Sequence, residues 1–187
     1  MSQFKGWTLF LDRDGVINRR LPGDYVKEWP QFEFLPGILP AIAGFSRLFK
    51  RIIVVTNQQG IGKGLMDEGQ LADIHRRLKE KVEASGGRID AIYFCPHLAA
   101  DNCACRKPNP GMALQAQIDF PEIDFTRSLL AGDTASDIQF GLNLGMTTAC
   151  IGNEDIAPLS PHYRFDSLAD MAETWLALWK SNDHEII

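Results

Sequence analysis

Apolar runs of strand length recur at residues 7–11, 52–55, 89–94, 128–131 and 147–151, and most intervals between them carry helical periodicity. That alternation constrains the fold more than any single motif. The runs are short, rich in β-branched and aromatic residues, and apolar at successive positions, as strands covered on two sides must be. Between them, Leu39, Ile42, Ala43, Phe45, Leu48 and Phe49 mark a helix over 38–49. Leu71, Ile74, Leu78 and Val82 mark another over 68–84, with Asp67 as its N-cap and Gly86-Gly87 as its end. Shorter helices are expected at 112–118, 136–144 and 167–180. Strand–helix repetition predicts an α/β fold: a doubly wound, Rossmann-like, mostly parallel sheet with helices on both faces. Such sheets bind ligands beyond the C-terminal ends of their strands.

A chain of 187 residues with 45% hydrophobic content suffices for one buried core, so a single domain over 1–187 is expected, with 181–187 as a frayed tail. The net charge of −5 comes from dispersed acids, without the basic stripe that nucleic acid would require. No apolar run reaches membrane-spanning length, and the N-terminal residues lack a secretory pattern. The expectation is a cytoplasmic protein, monomeric, with neither a membrane nor a nucleic acid as partner.

The strand ends hold the candidate chemistry. The first run stops at Asp12-Arg13-Asp14-Gly15. Residues two apart on a strand share a face, about 6 to 7 Å apart, so Asp12 and Asp14 point one way and Arg13 the other. Alone, this turn also fits a solvated strand exit or a fragment of a calcium loop. The second run, however, ends at Thr56-Asn57-Gln58-Gln59, the fourth at Gly132-Asp133, and Lys107 follows an inserted loop after the third. Phosphoryl transfer needs an in-line nucleophile, a proton for the leaving oxygen and fixed positive charge. Asp12 suits the first need, Asp14 the second and Lys107 the third, while Thr56 can donate a hydrogen bond to a phosphoryl oxygen. Clustered carboxylates would repel phosphate, and Mg2+ held by Asp12, Asp133 and a backbone carbonyl removes that repulsion.

Cys95, Cys103 and Cys105 surround His97 in one short loop, which in a cytoplasmic chain reads as metal ligation rather than disulfides. Three thiolates and an imidazole close a tetrahedral Zn2+ shell with no open position, so the predicted zinc is structural and braces the loop that presents Arg106 and Lys107. The alternative, three reduced cysteines in a polar loop, would invite oxidation. Cys150 lies in an apolar run and is expected in the core.

Taken in order, Asp12-Arg13-Asp14-Gly15, Thr56-Asn57, Lys107 and Gly132-Asp133-x-x-x-Asp137 resemble the four motifs of the haloacid dehalogenase superfamily of phosphohydrolases, over nearly the whole chain. The resemblance implies Asp12 as nucleophile and Asp14 as acid/base, with Thr56 and Lys107 steadying the phosphoryl group. It also implies magnesium on Asp12, Asp133 and the Asp14 backbone carbonyl, with Asp137 supporting through water. Thr56-Asn57-Gln58, the cysteine loop and Cys105-Arg106-Lys107-Pro108 are similar to the group of D-glycero-D-manno-heptose 1,7-bisphosphate and histidinol-phosphate phosphatases. Gly60-Ile61-Gly62-Lys63-Gly64 and Pro108-Asn109-Pro110-Gly111-Met112 look more like the heptose enzymes. The implied reaction is removal of the 7-phosphate from the heptose bisphosphate, a small sugar phosphate. Histidinol phosphate is the alternative substrate, and a non-catalytic zinc-stabilised binding domain the alternative of another class, against which the intact Asp12/Asp14 pair argues. Thr134 departs from the pattern, because some heptose members carry Lys there.

Many members of the superfamily insert a cap domain after the first motif or between the second and third. Neither interval here has room, so an open site with no cap domain is expected. Substrate contacts then fall to Asp24 and Tyr25 in the loop at 19–35, to Asn57, Gln58 and Gln59, and to Arg106, whose guanidinium can grip a second phosphate bidentately.

Overall fold

The computed structural model describes residues 4–183. Its main elements, in chain order, are β1 (Thr8–Leu11), α1 (Ile38–Leu48), β2 (Arg51–Asn57), α2 (Glu68–Ala84), β3 (Ala91–Cys95), α3 (Gly111–Asp119), β4 (Ser128–Gly132), α4 (Ala135–Asn143), β5 (Thr147–Ile151), β6 (Tyr163–Phe165) and α5 (Leu168–Asp183). The strands form one sheet in the order β3-β2-β1-β4-β5-β6, with every pairing parallel. Central β1 places Leu11 opposite Val54 of β2 and Ala131 of β4. Chain direction through the sheet reverses between β1 and β4, and a doubly wound sheet opens its ligand crevice at that switch.

Alternation along the strands divides the core in two. Leu9, Leu11, Ile52, Val54, Leu129 and Ala131 face α1, α2 and α5, while Phe10, Ile53, Val55 and Leu130 face α3 and α4. Both faces are covered, which is why the runs read as continuously apolar. Asp67 caps α2 as expected: its carboxylate accepts from Gln70 N at 2.8 Å, and the Gln70 side chain accepts from Asp67 N at 2.9 Å.

Three differences from the expected elements have local causes. Strand β2 runs on through Thr56 and Asn57, because these polar residues still pair with Phe94 and Cys95 of β3. The edge strand β6 has no apolar run to announce it, with Arg164 between Tyr163 and Phe165 and two of its three residues exposed. Helix α5 continues past Lys180 to Asp183, so part of the expected frayed tail is helical, and residues 184–187 lie outside the described residues.

The loop at 19–35 folds back on itself without forming a domain. Arg19 N donates to Glu33 O at 2.8 Å and Leu35 N to Ile17 O at 3.0 Å, with Asn18 and Phe34 bridged between them. Stacked Trp29 and Phe32, with Phe34 edge-on to both, pin its base to the core. Among the described residues nothing larger stands over the strand ends, and no helix is long and apolar enough to cross a membrane.

Candidate active site

Asp12 follows β1 directly, and its N–H donates to Ala131 O at 3.0 Å, which carries the β1–β4 ladder one residue past the strand. The carboxylate is buried among charges. Lys107 Nζ donates to Asp12 Oδ1 at 2.6 Å and to Val55 O at 2.8 Å, and forms an ion pair with Asp137 Oδ1 at 2.6 Å. Burial pushes the Asp12 carboxyl up to about 6 despite Lys107, with Asp137 adding to the rise. Burial also works against the charge on Lys107, but Asp12 and Asp137 outweigh it and hold the ammonium charged well above its usual range. The second oxygen of Asp137 accepts from Thr134 N at 3.0 Å and Thr134 Oγ1 at 2.5 Å, so the first turn of α4 fixes the carboxylate that steadies Lys107.

Asp133 follows β4 at the switch. Its carboxylate, with those of Asp12 and Asp137, offers three oxygens within 4.8 Å of one another. Gly15 makes this approach possible: its φ of +99° suits glycine, and a Cβ there would lie 1.9 Å from Asp133 Oδ2. Burial, Asp12 and Asp137 push Asp133 up to about 8, with Arg20 and Lys107 opposing. Clustered hard oxygens carrying more negative charge than their ammonium partner cancels suit a divalent cation.

Asp14 sits in a different environment. Arg13 donates to it at 2.9 Å, Asn18 Nδ2 at 2.9 Å and Gln58 Nε2 at 2.7 Å. Burial raises its pKa, but the charge and hydrogen bond of Arg13, with the bonds from Asn18 and Gln58, outweigh that and hold the carboxyl below its ordinary range. Arg13 faces away from the cavity, as the strand parity implies, yet it is fully buried and returns its guanidinium to the site. Its Nη1 lies 3.1 Å from His75 Nε2 on α2, and a guanidinium only donates, so His75 accepts there and carries its proton on Nδ1. Arg13 and His75 are functional residues that motif reading misses.

The sequence-derived candidates separate into two groups. Asp12, Asp14, Thr56, Lys107, Asp24, Tyr25, Asn57, Gln59 and Arg106 all line one cavity of about 450 Å³ at the strand ends. Gln58 does not: it is buried, and its amide goes to Asp14 and, at 2.9 Å, to Thr56 Oγ1. Geometry thus makes Gln58 a positioning residue rather than a substrate contact. Asn57 is also occupied, because its side chain accepts from Lys107 N at 3.0 Å and donates to Lys107 O at 3.3 Å, clamping the lysine's backbone to β2. Thr56 Oγ1 accepts from Gln58, which leaves its proton free for the cavity. Tyr25 OH meets Gln59 Nε2 at 2.7 Å and Lys63 Nζ at 2.9 Å, while Asp24 pairs with Lys27 at 2.8 Å.

Beside this cavity, Cys95, His97, Cys103 and Cys105 converge. Their Sγ and Nδ1 atoms are separated by 2.8 to 3.6 Å in every measured pair, and all four cysteines of the chain are free of disulfides. Four soft donors at that spacing suit a tetrahedral metal centre. The following residues lock onto the cluster: Arg106 Nη1 donates to His97 O at 3.4 Å and Asn109 Nδ2 to Cys103 O at 2.8 Å.

A parallel sheet in this order, with acids at its switch point and a lysine reaching in from the flank, defines a Rossmann-like hydrolase of the haloacid dehalogenase type. Comparison with known proteins agrees. The HAD-hydrolase-like family model matches residues 104–171. D-glycero-alpha-D-manno-heptose-1,7-bisphosphate 7-phosphatase of Mycobacterium tuberculosis (strain ATCC 25618 / H37Rv) is 40% identical, over 89% of this chain and 90% of that protein. D-glycero-beta-D-manno-heptose-1,7-bisphosphate 7-phosphatase of Vibrio cholerae is 37% identical, over 75% of this chain and 77% of that one. The structure of D,D-heptose 1,7-bisphosphate phosphatase from B. bronchiseptica, complexed with magnesium and phosphate, superposes with a TM-score of 0.84 at 31% identity, covering 92% of this chain and 99% of that one. The chain belongs to the haloacid dehalogenase-like phosphatases, in the family of the heptose-1,7-bisphosphate 7-phosphatases.

Two outcomes follow from the geometry. Gly15→Ala should weaken magnesium binding and lower turnover together, because the new methyl displaces the Asp133 carboxylate, and should lower the melting temperature as well, because a side chain at φ +99° strains the backbone; calorimetric titration with Mg2+ alongside phosphate release and thermal unfolding reads all three. His75 is pushed down to about 3 by burial and by Arg13. The unfolded chain therefore binds the extra proton, and the stability His75 contributes is present above its ordinary pKa of about 6.5 and lost as the pH falls toward the folded value, about 2 kcal/mol by about pH 5. Urea unfolding at about pH 8 and about pH 5 should show His75→Gln losing less stability between them than the wild type.

Proposed function

We propose that this chain hydrolyses a heptose 1,7-bisphosphate at its 7-phosphate through an aspartyl-phosphate. The observation that carries the reading is the charge of the cavity. Its lining sets Arg20, Lys63, Arg106 and Lys107 against Asp12, Asp14, Asp24 and Asp137; Lys107 is held among the acids, whereas Lys63 and Arg106 pair with no described carboxylate and form a second set of cations that the reacting phosphate does not use. A bisphosphate uses both sets, and the relatives that match most of the chain bear names for that substrate.

Lys107 holds Oδ1 of Asp12, leaving Oδ2 as the nucleophilic oxygen. As the Asp12–phosphorus bond forms, the ester bond breaks and Asp14 gives its proton to the departing alkoxide; Asp14 then takes a proton from the water that attacks the aspartyl-phosphate, restoring Asp12 and releasing phosphate. Resting Asp14 is poised for the second half. An arriving phosphate dianion raises its pKa and so favours the protonated form that the first half requires. Thr56 directs its free proton at a phosphoryl oxygen, and Asn57 keeps Lys107 in place. Asp12, Asp133 and the Asp14 carbonyl, with Asp137 supporting through water, would hold Mg2+, which when bound would supply positive charge to the transferring group. Gln59, Tyr25 and Asp24 shape the sugar side, and Arg106 takes the non-reacting phosphate.

Zn2+ on Cys95, His97, Cys103 and Cys105 completes the reading as a structural ion, since four protein donors leave no position for substrate. The reading takes the setting as cytoplasmic and the chain as a single, monomeric domain over 1–187, built on one sheet with both faces covered.

Three measurements test this. Asp12→Asn should fold and bind zinc yet lose turnover by several orders of magnitude, because an amide forms no aspartyl-phosphate; a near-wild-type rate would end the mechanism. Protein purified without added zinc should contain one equivalent, and Cys103→Ser should lose metal and activity together as Lys107 shifts; full activity in a zinc-free variant would reduce the cluster to a coincidence. In a panel of both heptose bisphosphate anomers and histidinol phosphate, kcat/KM should be highest for a bisphosphate, with Arg106→Ala narrowing the gap. Preference for histidinol phosphate would overturn the substrate and leave the chemistry standing.

A further inference from the structure

Arg20 reaches across the mouth of the carboxylate cluster. Its Nη2 lies 2.9 and 2.7 Å from the two oxygens of Asp133 and 3.4 Å from the backbone carbonyl of Asp14. Those are oxygens to which the proposed function assigns the metal. A guanidinium nitrogen in contact with them and a divalent cation bound by them exclude one another, by volume and by charge. Arg20 also screens its partner: it lines the cavity, whereas Asp133 does not.

The contact is built to be broken. The Arg20 side chain is 43% exposed and that of Asp133 is 13% exposed, so the arginine enters from the rim and can withdraw without disturbing the core. Its other nitrogen, Nη1, has only a loose partner, exposed Glu154 at 3.6 Å. The backbone beside it is fixed, with Asn18 bridged to Phe34 and Arg19 tied to Glu33, so that only the side chain has freedom to move. Arg20 also adds positive charge that the cluster lacks, because Asp12, Asp133 and Asp137 otherwise share the one ammonium of Lys107.

We propose that Arg20 is a transferable cation, resting on Asp133 in the absence of metal and passing to the substrate's non-reacting phosphate once metal has taken its place. The second half rests on the bisphosphate reading above. A divalent ion on Asp133 removes the reason for Arg20 to stay, and the anion then accessible from the rim is the phosphate that Lys63 and Arg106 also face. Metal occupancy thereby switches on part of the substrate's binding site, and recognition of the bisphosphate depends on magnesium beyond the chemical step.

Calorimetric titration of Mg2+ into substrate-free wild type, Arg20→Gln and Arg20→Lys tests the first half. The glutamine variant should bind Mg2+ about threefold to fivefold tighter, the range expected for losing a half-exposed competing ion pair, and the lysine variant should stay near wild type. The second half is read at saturating Mg2+: in Arg20→Gln the KM for heptose bisphosphate should rise about tenfold with kcat held, while the KM for a simple aryl monophosphate stays put. Unchanged or weaker Mg2+ binding by the glutamine variant overturns the proposal. So does tighter binding with an unmoved bisphosphate KM, which would leave Arg20 a counter-ion only. A wild type without preference for bisphosphate over monophosphate refutes the functional reading itself, and the substrate-free titration separates that failure from a failure of the exchange.

Discussion

The site depends on one buried ammonium. Lys107 touches Asp12, Asp137 and the Val55 carbonyl, and each contact ties it to a different part of the fold: the strand end after β1, the first turn of α4 and the interior of β2. Removing one member of such a buried ionic set leaves uncompensated charge, which costs about 3 to 5 kcal/mol. Position therefore matters more to Lys107 than strength. It hangs on a loop with no helix or strand of its own, held on one side by the cysteine–histidine cluster and on the other by the Asn57 clamp. Asp12 is no better placed than that loop is rigid.

Asp12 and Asp14 stand two residues apart and have opposite electrostatics. One is buried against a lysine with further acids nearby, and its affinity for a proton rises. The other is wrapped by donors from Arg13, Asn18 and Gln58, and its affinity falls. Separating the environments of neighbouring carboxyls is how one site assigns a nucleophile and a proton carrier. The charge and hydrogen bond of buried Arg13 achieve the separation here, with neutral His75 behind it accepting a hydrogen bond from the guanidinium.

Much of this was legible from residue order alone. Apolar runs that stop abruptly at acids or at Thr56 announce both a parallel sheet and a crevice at its edge, so Asp12, Asp14, Thr56, Lys107 and Asp133 could be chosen before any coordinates. The cysteine loop was legible for the same kind of reason, since its spacing has few other uses. Supporting residues were not. Arg13 reads as a surface charge because nothing in a tripeptide says that its guanidinium will be buried, although His75, one turn after Leu71 on the apolar side of α2, is a polar residue where an aliphatic one is expected. Gln58 looks like a cavity residue because it follows Thr56 and Asn57, and its inward turn shows only in its hydrogen bonds to Asp14 and Thr56. Arg20 sits in a loop without periodicity, and its partner lies far along the sequence. The edge strand β6 was invisible because an edge asks for little apolar surface.

Among the described residues, only short segments rim the strand ends, the folded-back loop at 19–35 together with the loops carrying Gln59, Lys63 and Arg106, and that smallness bears on the catalytic cycle. A phosphatase that closes a whole domain over its substrate must reopen it to let product go, and such motions limit many turnover rates. Among the described residues of this protein no domain stands over the strand ends to make such a movement. Its substrate arrives and leaves across an open rim under the pull of charged side chains. An aspartyl-phosphate formed at Asp12, as proposed above, would stand open to bulk water along this cavity, so its phosphoryl group would pass to water before another acceptor could compete.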